Sequence, residues 1–74
     1  MKGDHTYEEG KSYILKTGEV MRIEMIGEET CILRLLTKAD GKIPDEEDNQ
    51  YLEGLSHRLQ RFMVFMEAKE IKHA

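Results

Sequence analysis

The chain has 74 residues, with 11 Lys and Arg against 15 Asp and Glu and a net charge of −4. That makes one small domain, 1–74, and disfavours any role resting on nonspecific displacement of counterions from nucleic acid. A single cysteine, Cys31, excludes an internal disulfide and the common zinc frameworks and fits a reducing compartment.

The opening stretch MKGDHTYEEGK is polar, without the apolar core of a secretory leader, and residues 1–10 lack periodicity and are expected to be flexible. No apolar run approaches the ~18 residues a membrane-spanning helix needs. These features predict a cytoplasmic protein with no membrane segment.

From Ser12 to Ile26 the pattern is strand-like. SYILK and EVMRIEMI flank Thr17-Gly18, and Gly18 can supply the positive φ of a tight hairpin. Met21, Ile23 and Met25 alternate with Arg22 and Glu24, which predicts three apolar residues on one face. Tyr13, on the same strand as Lys11, is expected to face Arg22 across the hairpin.

Residues 30–38, TCILRLLTK, fit two patterns. As a third strand, Cys31, Leu33 and Leu35 continue the apolar face. As a helix over 29–39, Ile32, Leu35, Leu36 and Ala39 share one side, giving a ββαα arrangement. A strand is preferred, because a third strand completes a sheet that a lone hairpin cannot. The prediction is therefore an α+β domain, with a hairpin or three-stranded meander over about 12–38.

LLTKADGKIPDEED, residues 35–48, places Asp40, Gly41, Ile43 and Glu47 at the spacing of an EF-hand loop. The first and third ligand positions would then be Leu36 and Lys38, one apolar and one cationic, so calcium binding is not expected. The same fragment resembles the inter-helix segment of tellurite-resistance B-type helical domains, and that resemblance implies an all-helical fold. The strand-like periodicity of residues 12–26 implies otherwise. An Asp40-Gly41 turn is the simpler reading, with Lys42-Ile43 as an optional short return strand.

Pro44 and the carboxylates of 45–48 have the character of a helix start. Leu52, Leu55, Leu59, Phe62 and Met66 recur at spacings of three and four, predicting one long helix over about 45–72, on the order of 40 Å. Gly54 is its one dissonant residue and could delay the start. In RFMVFMEA, Val64 and Phe65 face away from the stripe, so apolar groups nearly encircle the helix.

One small sheet cannot cover such a helix, and a second copy could. Leu52, Leu55, Leu59, Phe62, Met63, Phe65 and Met66 are the candidate interface. Asp45–Asp48 at one end and Arg58, Arg61, Lys69 and Lys72 at the other suit the helix dipole, or an antiparallel pairing of two helices.

The chemistry of catalysis is missing. There is no phosphate-cradling glycine loop, no HExxH and no G-x-S-x-G. His5, His57 and His73 are far apart, and Cys31 lies in an apolar run with no base in its neighbourhood. No cofactor, metal or catalytic residue is predicted. The expectation is a non-enzymatic interaction or regulatory module that forms a homodimer or binds a helix of another protein. The alternative is a dimeric nucleic-acid-binding regulator using Arg58, Arg61, Lys69 and Lys72, with Lys11, Lys16 and Arg22 on the sheet.

Overall fold

A computed structural model describes residues 7–71. Its elements run β1 (Ser12–Ile14), β2 (Val20–Ile26), β3 (Thr30–Thr37), β4 (Tyr51–Leu55), α1 (Ser56–Phe65) and β5 (Lys69–Glu70). They build one antiparallel five-stranded sheet in the order β4-β3-β2-β1-β5. The domain is α+β, with a larger sheet and a much shorter helix than the periodicity predicts. No all-helical arrangement of the tellurite-resistance type forms.

The hairpin closes at Gly18, whose φ of 98° is one that L side chains rarely adopt. Its N–H donates to Leu15 O at 2.9 Å, and Leu15 N–H donates to Glu19 O at 2.8 Å. Across the hairpin Tyr13 opposes Met21, and Ser12 opposes Arg22. Tyr13 is therefore a core residue rather than the cross-strand neighbour of Arg22.

Strand β3 settles the ambiguity over 30–38. Cys31 and Leu33 are buried and Leu35 partly so, on the same face as Met21 and Ile23. Met25 departs from its expected face. The register slips between Ile23 and Met25, so that Ile23 opposes Leu33 while Met25 opposes Ile32. The extra residue, Glu24, makes a bulge that turns Met25 to solvent and brings Ile26 onto the core.

After β3 the Asp40-Gly41 turn forms as expected. Gly41 has φ 87°, its N–H donates to Lys38 O at 2.8 Å, and Lys42 N–H donates to Asp40 Oδ1 at 2.9 Å. Lys42-Ile43 makes no return strand.

The expected helix over 45–72 is corrected to Ser56–Phe65. Residues 45–48 form a turn instead. Asp48 N–H donates to Asp45 O at 3.0 Å, Asp45 N–H donates to Asp48 Oδ2 at 2.7 Å, and Lys38 pairs with Asp48 at 3.6 Å. Residues 51–55 then become an edge strand, in which Leu52 and Gly54 point inward while Tyr51, Glu53 and Leu55 point outward. Leu52 and Leu55 thus lie on opposite faces of a sheet and not on one helical stripe.

The end of α1 is fixed by backbone bonds. Glu67 N–H donates to Val64 O and Ala68 N–H to Met63 O, each at 3.0 Å, with Glu67 at φ 54°. This is a Schellman arrangement with glutamate where glycine is usual, and Ala68 packs near Met63 in the core. A helix of ten residues is about 15 Å long. Five strands spaced about 4.8 Å apart span about 19 Å. The helix and the turn after it therefore suffice to carry the chain from the β4 edge, over the inner face, to β5 beside β1.

The core lies between that inner face and α1: Tyr13, Leu15, Met21, Ile23, Cys31 and Leu33 from the sheet side, Leu59 and Met63 from the helix. Full burial of an aliphatic or Met side chain stabilises by about 1.5–3 kcal/mol. Of the segment expected to be flexible, residues 1–6 lie outside the described residues. Tyr7 is buried, edge-on to Tyr13 with ring centroids 5.0 Å apart, and Gly10 N–H donates to Ile23 O at 2.6 Å.

Candidate interaction surface

The seven residues expected to form one seam are dispersed. Leu59 and Met63 are buried beneath the chain's own sheet, with Phe62 and Met66 packed at their margin. Phe65 is turned away at 70% exposure and Val64 at 49%. The Lys16 ammonium lies 4.5 Å from the Phe65 ring centroid, and Lys16 N–H donates to Met66 O at 2.8 Å, holding the hairpin loop against the helix end. The apolar end of α1 is real, but it consists of two side chains and not a stripe.

The charge pattern changes as well. The acidic group of 45–48 belongs to the turn before β4, and α1 has no acidic residue in its first turn and no basic residue in its last. The dipole match and the pairing of acidic with basic helix ends therefore lose their basis. Arg58 and Arg61 are exposed on α1 and Lys69 on β5. Lys72 lies outside the described residues, as do His5 and His73. Lys11 bridges Glu8 at 3.6 Å and Glu70 at 3.4 Å, and the hydrogen bond to Glu70 is the main cause that raises its pKa.

Leu52 and Leu55, at 40% and 41% exposure, belong to β4, beside Tyr51 at 52%. β4 is an outermost strand. Leu35 N–H donates to Gln50 O at 2.6 Å and Ser56 N–H donates to Glu29 O at 2.7 Å. By the alternation of a strand, the backbone groups of Leu52 and Gly54 also face β3, and those of Tyr51 and Glu53 face outward along an open edge. A cleft of about 210 Å3 opens beside this strand, among Met21, Leu35, Leu52 and Phe62.

On the outer face, Arg34 stands opposite Tyr51 on one side and Arg22 on the other. Arg22 Nε donates to Glu24 Oε2 at 2.6 Å. Arg34 forms no ion pair among the described residues, its buried Nε–H has no acceptor there, and its guanidinium lies 5.8 Å from the Tyr51 ring centroid. Like charges directly opposite one another are destabilising, and the carboxylate bonded to this pair, that of Glu24, is held by Arg22. YLEGL has no apolar-polar alternation to announce a strand, and the Leu52–Leu55–Leu59 spacing obscured it further.

Cys31 is buried, and burial pushes its thiol pKa up, with Glu9 adding to the shift. Tyr7 is raised in the same way, by burial first and then by Tyr13. Among the described residues no group of three or more His, Cys, Asp or Glu is placed to hold a metal ion, and no helix is long and apolar enough to cross a membrane. No family model, no curated protein and no solved structure matches the chain.

Proposed function

We propose that this chain is a non-enzymatic, cytoplasmic interaction module that acts by binding protein and that self-associates as a homodimer. The observation that carries this reading is the exposed apolar surface that gathers at the Val64-Phe65 end of α1 and along the outermost strand β4, apart from the scattered Ile14, Met25 and Ile43. The first suits a helix of a partner or a second copy. A large ring such as Phe65 contributes 150–250 Å2 of burial when covered, at about 25 cal/mol per Å2.

Area sets the requirement. A stable interface takes about 800 Å2 from each partner, and the described surface totals 5262 Å2. About a seventh of the molecule must be covered, more than Val64 and Phe65 supply alone. Light scattering at tens of micromolar is expected to give twice the chain mass of 8.6 kDa. The mass of a single chain would contradict the homodimer.

A second reading, nucleic-acid binding, draws on Arg58 and Arg61. They are exposed one turn apart on α1 and form no ion pair among the described residues. Against it stand the acidic total and the engagement of Lys11, Lys16 and Arg22 within the fold. Salt-dependent retention on DNA or heparin would favour it, and no retention at low salt would remove it.

A further inference from the structure

We infer that the partner seated on the open edge of β4 is a second copy of the same strand, joined antiparallel about a twofold axis through Leu52. The inference rests on the self-association proposed above and assigns it a surface and a register. β4 is an exposed edge of the sheet, and its outward backbone groups, those of Tyr51 and Glu53, are a template on which another strand can pair. The opposite edge is different. β5 has two residues, Lys69 and Glu70, both charged, and Glu70 is paired with Lys11.

Opposed residues of an antiparallel pair lie on the same face, so a twofold pairing of β4 must be centred on a residue. Three centres within the five residues of β4 keep at least three of them paired. A centre at Glu53 sets Glu53 against its own copy, a like-charge contact that opposes the pairing. A centre at Gly54 sets Glu53 against Leu55 and leaves Arg34 without a carboxylate. A centre at Leu52 sets Glu53 of each chain opposite Tyr51 of the other.

That third register satisfies what each chain lacks. On the outer face Arg34, Tyr51 and the other copy's Glu53 stand in one row across three strands. The guanidinium already lies over the Tyr51 ring, toward the edge. This guanidinium, whose buried Nε–H has no acceptor among the described residues, meets a carboxylate from the other chain, and the symmetry repeats this pair. Tyr51 and Glu53 exchange backbone hydrogen bonds with their counterparts. On the inner face the two Leu52 side chains meet at a non-hydrogen-bonded position, where side chains approach most closely. The two five-stranded sheets become one continuous sheet, and the Val64-Phe65 end of α1 stays free for a different protein.

Charge reversal tests this. Arg34, Tyr51 and Glu53 point to the outer face, away from the core, so substitutions there are expected to leave the circular dichroism spectrum unchanged. The wild type is expected to be a dimer by light scattering, Glu53→Arg a monomer at the same concentration, and Arg34→Glu/Glu53→Arg a dimer again. Phe65→Asp is expected to stay dimeric. A monomeric wild type would overturn both this inference and the self-association beneath it. A dimer that survives Glu53→Arg and is lost in Phe65→Asp would overturn the strand edge alone and place the contact on the helix. Failure of the double reversal to restore the dimer would overturn the register.

Discussion

Cys31 shows how a single residue carries both legible and hidden information. Its place in an alternating run predicts a buried thiol in β3, and there it lies, among Leu33, Ile23 and Met63. Burial raises its pKa above the ordinary 9.0, and Tyr7 rises from 10.0. A proton held more tightly in the folded chain gives stability that is complete below the unfolded pKa and is lost as pH rises through the folded value. The urea midpoint is therefore expected to fall as pH climbs above 9.0, and Cys31→Ala is expected to remove the first part of that fall. A midpoint with the same alkaline profile in both proteins would show that the thiol plays no part. Met25 was less legible. Its spacing from Ile23 reads as one face, and only the bulge at Glu24 turns it outward, a feature set by pairing with β3 and not by local pattern.

At the scale of elements, the hairpin, the third strand and the Asp40-Gly41 turn could be read because their signals are local: period-two alternation and glycines at positive φ. The pattern of the long helix misleads because two periods coincide. Leu52 and Leu55 satisfy a helical spacing and also occupy opposite faces of β4. Gly54 was the true marker of the boundary, two residues before α1 begins. The far end was hidden for another reason. Glu67 takes the left-handed conformation that usually calls for glycine, so the sequence carries no stop signal. A left-handed L residue costs roughly 1–2 kcal/mol. Glu67→Gly is accordingly expected to raise stability by about 1 kcal/mol, less what glycine's greater freedom in the unfolded chain removes. Thermal denaturation checks it, and a lowered midpoint would show that the Glu67 side chain does more than tolerate its backbone.

For the whole molecule, the short helix changes which apolar side chains are left exposed. Leu59 and Met63 are consumed by the chain's own core, which leaves apolar surface uncovered at the sheet edge and at two residues of the helix end. Of the seven residues expected to form one seam, Leu52, Leu55 and Phe65 are exposed, on faces that depend on topology. The proposed contact between Arg34 and Glu53 of another chain was not legible at all. It requires knowing that β4 exists, that it is outermost, and which of its faces Tyr51 shares with Arg34.

Mild oxidation of Leu52→Cys probes that geometry most directly. Residues opposed at a non-hydrogen-bonded site have Cα atoms about 4.5 Å apart, within reach of a disulfide, while the native Cys31 is buried and serves as an internal control. Leu52→Cys is expected to yield a covalent dimer at twice the chain mass, with the wild type remaining uncrosslinked under the same conditions. Absence of that dimer at concentrations where light scattering reports association would contradict a sheet joined through β4.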